Sequence, residues 1–343
     1  MAALRCGRAA MARSTMMWQS SAVSVMLSAM TKLNSPVSVR RARSTDEDLL
    51  TGWSSAEPVA WIDSSQLQAE AATRNYRAEW SWIAERNGRA VGRALWWGSA
   101  TKERPATLDC LLVADTDDSP ATIGAALIRA GLESFGPGAA LEFKVDVDVD
   151  WVSDPAAVHA VRWRETAARD GGFRRTTERV SFARTEADPS PARSQRLVFS
   201  AAADDEFRTM FARVAEGSLD AHTLDMVARE GVHALAADDL EFYLSLPGDR
   251  SAWQIATLRD GTAVGFVIPT RTAYDASISY LGVLPEHRGN GYVHDLLAEM
   301  VHVHHNNGQQ RIVGTTDAAN SPMRAAFDRA GFSVTRVRIV HEQ

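Results

Sequence analysis

One stretch constrains the fold of this chain more than any other: Tyr280-Leu-Gly-Val-Leu-Pro-Glu-His-Arg288-Gly-Asn-Gly291-Tyr-Val293, continuing into Leu296, Leu297, Met300 and Val301. It reads as strand, turn and helix. Residues 278–284 mix β-branched, aromatic and apolar side chains at strand length, and Pro285 ends the run because proline has no N–H to give to a ladder. Beyond the turn, Val293, Leu296, Leu297, Met300, Val301 and His304 recur at intervals of three and four, which marks one face of a helix. Between the two lie Arg288, Gly289, Asn290 and Gly291. Two glycines let the backbone turn tightly and let a ligand come close. The first N–H groups of the helix point outward with the positive end of its dipole, which makes a site for phosphate.

Glycine-rich turns before helices also arise as plain connectors, so the order of the downstream elements matters. A strand is expected over residues 311–316. A second helix opens at Asn320-Ser321-Pro322, with Ser321 as N-cap and Pro322 at the first helical position, and Gly331 stands past its end before a last strand. Over residues 253–338 this order resembles the GNAT superfamily of acyl-CoA-dependent N-acetyltransferases. The family's pyrophosphate loop, Arg/Gln-x-x-Gly-x-Gly/Ala, is matched by Arg288-Gly-Asn-Gly291-Tyr-Val293. Val293 departs from it by a branched side chain that narrows the room beside the pyrophosphate while leaving the N–H groups in place. Asn320 matches the family's Asn at the start of the following helix.

The resemblance implies that Arg288, Gly289, Asn290, Gly291, Tyr292, Val293 and Asn320 bind acetyl-CoA as co-substrate. It also implies that the strand before the loop and the strand after its helix splay apart, so that backbone groups of Leu281, Gly282 and Val283 meet the pantetheine arm. Arg288→Glu is then expected to abolish CoA affinity with the fold intact.

A chain of 343 residues suits two domains. A net charge of −6 argues against a nucleic-acid partner. Cys6 and Cys110 form no disulfide framework, which suits a reducing cytosol, and a cytoplasmic monomer or homodimer is expected. Residues 1–36 are basic and serine-rich, too diluted to span a bilayer, and read as a structureless extension.

From Val37 the chain repeats its own second half. Asn87-Gly88-Arg-Ala-Val-Gly92 matches Asp260-Gly261-Thr-Ala-Val-Gly265, both tight hairpins, and Gly172-Phe173 matches Gly331-Phe332 at the end of a helix. The reading is an α/β (α+β) protein of two GNAT-like modules, each a mixed, mostly antiparallel sheet flanked by helices. Residues 37–185 are a degenerate copy, 186–194 a proline-rich linker, and 195–343 the catalytic module. Where the second module has the Arg288 turn, the first has Asp115, Asp117 and Asp118, which repel a pyrophosphate. The eight tryptophans between Trp53 and Trp163 read as core filler.

The resemblance is weaker in side-chain chemistry. Ser277 stands where many relatives hold a glutamate base, and Phe327 stands where many hold a tyrosine acid. A water held by Ser277 can serve as base, and the replacement candidates are Tyr280, Asp275 and His287 in falling order. Acids at 204–206, 216, 220, 225, 230, 238, 239 and 241 read chiefly as helix exteriors, with some attraction for a cationic amine. His302, His304 and His305 read as cationic caps of a helix end, and no metal site is expected. The expected activity is transfer of acetyl to a primary amine of a small molecule, with no membrane partner. The alternative is a non-catalytic acyl-CoA-binding protein.

Overall fold

The computed structural model describes residues 36–343 apart from 54, 60–63, 115–119, 137–140 and 273–274. The N-terminal extension to residue 35, Trp61 and the aspartates at 115, 117 and 118 lie outside the described residues.

The first half runs β1 (Ser38–Arg41), α1 (Glu47–Thr51), α2 (Ser64–Ala72), β2 (Tyr76–Arg86), β3 (Arg89–Trp97), β4 (Thr107–Val113), α3 (Pro120–Phe135), β5 (Glu142–Val147), α4 (Pro155–Gly171) and β6 (Arg175–Thr185). The second half runs β7 (Val198–Ser200), α5 (Asp204–Ala215), α6 (Ala221–Glu230), α7 (Val232–Ser245), β8 (Gln254–Thr257), β9 (Ala263–Arg271), β10 (Ala276–Val283), α8 (Tyr292–Asn306), β11 (Arg311–Asp317), α9 (Ser321–Arg329) and β12 (Ser333–Glu342). The two-module reading holds at the level of element order. The β2–β3 turn places Asn87 and Gly88 at φ 53° and 74°, and Gly261 turns the β8–β9 hairpin at φ 89°. Helix α9 begins one residue earlier than expected: Asn320 is its N-cap, accepting from the Met323 amide at 3.2 Å, which leaves Ser321 inside the first turn.

The sheets of the two halves are not separate. One twelve-stranded sheet runs β1-β2-β3-β4-β5-β12-β6-β11-β10-β9-β8-β7, so the last strand of each half pairs with the penultimate strand of the other. At the centre β6 and β12 pair antiparallel, with Val337 opposite Val180 and Ile339 opposite Glu178. Each half thereby borrows core from its neighbour. Val337 and Ile339 pack among Trp82, Trp96, Phe143 and Phe173, while Val180 and Phe182 pack among Leu296, Met300, Ile312 and Phe327. The buried tryptophans of the first half sit in that core; Trp82 and Trp96 each meet the Phe135 ring edge-on at 5.2 Å. No helix among the described residues is long and apolar enough to cross a membrane.

Candidate active site

The turn after β10 has the form its glycines predict. Gly289 and Gly291 sit at φ 80° and 72°, the latter as N-cap of α8. No acceptor among the described residues takes the amide hydrogens of residues 289–293; the first amide of this end to be engaged is His294, which donates to Gly291 O at 3.1 Å. Five consecutive N–H groups thus remain without an acceptor at the positive end of a fifteen-residue helix. The Asn290 side chain turns inward, its amide nitrogen donating to His287 O at 3.1 Å. Tyr292 and Val293 border the cleft below and also pack on the second-half core.

Arg288 is occupied. Its guanidinium donates to Val214 O at 2.7 Å, Glu216 O at 2.6 Å, Gly217 O at 3.0 Å and Val283 O at 3.2 Å. It is a cationic clamp on the carbonyl end of α5, so its replacement by glutamate disturbs the fold as well as the turn.

Beside this turn the sheet opens. Strands β10 and β11 pair in parallel only at Ala276–Ile312, Ser277–Val313 and Ile278–Gly314, although both continue. A bulge at Ser279 starts the divergence. Leu284 N bonds to Val264 O on the β9 side, so by alternation Leu281 turns its N–H and C=O, and Val283 its N–H, away from β9 toward the gap, while the Val283 carbonyl is taken by Arg288. Gly282 is where α5 lies on the strand: a Cβ there would come within 2.6 Å of Val214. Phe327 stacks on Phe182 at 4.6 Å and covers Gly314 so closely that a Cβ there would come within 2.6 Å of its ring. At 1% exposure it is core, with no hydroxyl to offer.

A cleft of about 920 Å³ joins the gap, the turn and the helices α6 and α7. Tyr280 and Asn320 line it; Ser277 and Asp275 do not. Ser277 O accepts from His304 Nε2 at 3.0 Å, and Asp275 is paired with Arg311 at the outer end of β10. These two do not join Tyr280 in the site, because the bulge at Ser279 and the strand's outer end hold them away from it. His304 is buried and its pKa is lowered by burial, so it is a neutral donor inside the fold, not a cationic cap. His302 Nε2 meets Pro191 O at 2.8 Å and His305 Nδ1 meets Ser190 Oγ at 3.3 Å, tying residues 190–191 to α8. No group of three or more His, Cys, Asp or Glu side chains able to hold a metal occurs among the described residues.

Residues 220–332 match the sequence profile of the Acetyltransferase (GNAT) family. This segment is a GNAT domain. Among solved structures, the chain is similar to a GCN5-related N-acetyltransferase from Sphaerobacter thermophilus, with 16% identity, 90% of this chain and 96% of that one covered, and a TM-score of 0.55. It is also similar to a glucosamine N-acetyltransferase region of a fungal multi-domain beta-N-acetylglucosaminidase, with 14% identity, 90% and 38% coverage and a TM-score of 0.51. A tandem GNAT protein from the clavulanic acid biosynthesis pathway matches at 17% identity over 90% and 98%, with a TM-score of 0.46. At these identities the likeness is one of fold. No significant match to a curated protein sequence was found.

The α6–α7 side of the cleft holds what sequence reasoning missed. Asp239 lines the cleft, and burial pushes its carboxyl up to about 7, with Asp238 and Asp220 adding repulsion. The signal was present, since Ala236, Asp239, Leu240 and Tyr243 fall on one face of α7, and an acid on a buried-face position is informative. Tyr280 stacks on Phe266 at 5.3 Å and meets Tyr243 at 5.5 Å; burial raises the pKa of both phenols and keeps them protonated. The strand exchange adds first-half residues to the same cleft: Glu142 and Lys144, paired at 2.7 Å, and Arg179, 3.4 Å from Asp317 and 4.0 Å from Asp220. Asp317 in turn accepts from the Ala221 amide at 2.9 Å, fixing the start of α6.

Proposed function

We propose that the second half is an N-acetyltransferase that takes acetyl-CoA and a primary amine of a small molecule. The observation that carries this reading is the run of free amides at residues 289–293 beside the β10–β11 gap. A diphosphate fits those five donors, and a peptide-like arm fits the open edge at Leu281 and Val283. Acetyl-CoA, when bound, supplies an acetyl thioester whose carbonyl carbon forms a bond to the amine nitrogen as its bond to sulfur breaks.

The residues divide the remaining work. An amine attacks only as the neutral base, and Asp239, ionising near neutral pH, accepts its proton. The amides of Leu281 and Val283 stabilise the developing oxyanion. Tyr280, kept protonated, donates to the departing thiolate. A non-catalytic acyl-CoA-binding protein is the second reading, favoured by Phe327 in the place of a tyrosine.

Steady-state turnover of acetyl-CoA against a panel of amines separates the two. Wild type is expected to show kcat/KM rising with pH through an apparent pKa near 7. Asp239→Asn is expected to lose that limb and about 10²- to 10⁴-fold in kcat, with CoA affinity retained. CoA binding with no transfer to any amine would establish the non-catalytic reading instead.

A further inference from the structure

The cleft carries charges that are spoken for and charges that are not. Arg288 serves carbonyls, Lys144 serves Glu142, and Arg179 stands between Asp317 and Asp220. Asp238 and Asp239 line the same cleft, and neither has an ion-pair partner among the described residues. The carboxyl groups left without an ion-pair partner on this side of the cleft therefore sit on one turn of α7, where an approaching cation favours their ionised form.

The next turn of the same helix is aromatic. Phe242 follows Asp238 by four residues and Tyr243 follows Asp239 by four, so each carboxylate stands beside a ring on the helix surface. Tyr243 is enclosed, stacked on Phe211 at 5.8 Å, but Phe242 is 53% exposed, and Leu219 before α6 is 57% exposed. Both line the cleft. Two large apolar side chains at the mouth of a cleft whose inner charge is anionic are complementary to a cation on an apolar body.

Resting on the acetyltransferase reading, we infer that the acceptor is a primary amine on a short tether from an aryl or alkyl group, without a carboxylate or phosphate of its own. The ammonium sits against Asp238 and Asp239, and the apolar body lies on Leu219 and Phe242. An amino acid brings a carboxylate toward two unpaired carboxylates, and an amino sugar leaves the apolar mouth unfilled.

The test is calorimetric binding of 2-phenylethylamine, ethylamine, phenylalanine and glucosamine to the full chain saturated with CoA, alongside turnover of each with acetyl-CoA. The expected result is that 2-phenylethylamine binds about 10- to 100-fold more tightly than ethylamine, the gain from burying one ring, and more tightly than the other two. Phe242→Ala combined with Leu219→Ser is expected to erase most of that advantage, with CoA affinity and the ethylamine affinity held. Glucosamine or phenylalanine binding best, or a ratio of 2-phenylethylamine to ethylamine that the double variant leaves unmoved, overturns the inference. Because the ranking is read by binding, it stands or falls separately from chemistry. The expected ranking without turnover defeats acetyl transfer and keeps the acceptor class; turnover with the ranking reversed does the opposite.

Discussion

The two halves share one structural problem and solve it differently. In the second, β10 and β11 part after three residue pairs; in the first, β4 and β5 pair only at Thr107–Glu142 and Leu108–Phe143. Ala114 N bonds to Val91 O as Leu284 N bonds to Val264 O, so Leu111 stands in its strand where Leu281 stands in the other. The gap beside Leu281 opens into a cleft. The gap beside Leu111 is filled by the chain itself: Arg164 of α4, with no exposed surface, donates to Leu111 O at 3.1 Å and is ion-paired with Glu57 at 2.5 Å. Trp163 Nε1 holds the other Glu57 oxygen at 2.7 Å. A backbone group turned away from the ladder needs a partner. One half leaves that position open to the cleft, and the other supplies an internal guanidinium.

The largest expected effect comes from breaking that plug. Arg164→Met strands the Glu57 carboxylate and the Leu111 carbonyl, and the loss is expected at about 3 to 5 kcal/mol in urea unfolding. Adding Glu57→Gln is expected to recover part of it, because the uncompensated charge is then gone. Calorimetry on the wild type is expected to count one CoA per chain. A count of two would mean that the plug does not close the first gap.

Next is the turn itself. Gly291→Asp puts a carboxylate among the free amides of residues 289–293, moving the second half toward the acid-rich sequence at Asp115, Asp117 and Asp118. CoA affinity is expected to fall by about 100-fold from like-charge repulsion in a partly dry site. Stability is expected to fall by about 1 to 2 kcal/mol, the cost of a Cβ at φ 72°, so affinity is compared on protein shown to be folded. Unchanged affinity would place the diphosphate elsewhere.

The helical wall of the cleft sharpens the comparison further. Among the described residues the first half has the short α1 and α2 before its β2, where the second has α5, α6 and α7. Asp239 on that wall holds its proton up to about 7, against 3.8 when free. Between those values the folded chain binds the extra proton, so stability falls as pH rises from about 4 to about 7. Asp239→Asn is expected to flatten this fall and to melt above wild type at pH 8. A wild-type Tm that is level across that window would put the ordinary carboxylate pKa on Asp239.

What the sequence made legible was local. The Gly289–Gly291 turn, both hairpins and the helix closed by Gly331 depend on residues close in the chain, and each formed as its turn chemistry requires. The strand exchange did not show, because β6 and β12 alternate in the same way whichever neighbour they pair with; partner choice is set by contacts more than a hundred residues apart. Arg288 misled for a related reason. Arginine in a phosphate turn reads as ligand-facing, and only the folded chain shows which carbonyls it must satisfy. Ser277 was placed by counting along β10, and the bulge at Ser279 is where a count along an ideal strand ceases to apply.

The smallest effect concerns a residue that lies outside both gaps. Arg196, just before β7, donates to Asn290 O at 3.0 Å, lies over the Tyr292 ring at 4.5 Å and is ion-paired with Asp295 in the first turn of α8. Asp295 brings to the second half a mild form of the like charge that the first half carries in sequence, and Arg196 neutralises it beside the free amides. Arg196→Ala is expected to weaken CoA binding by about 3- to 10-fold, consistent with roughly 1 kcal/mol for a half-exposed pair and its bracing contact. The deficit is expected to shrink in 1 M salt, where exposed charges are screened beyond about 3 Å. Arg196→Lys restores the charge without the flat guanidinium over Tyr292, and its CoA affinity should fall between the two. If Arg196→Lys and Arg196→Ala bind CoA alike, the brace on the loop matters and the charge on Asp295 does not; if Arg196→Lys equals wild type, the reverse holds.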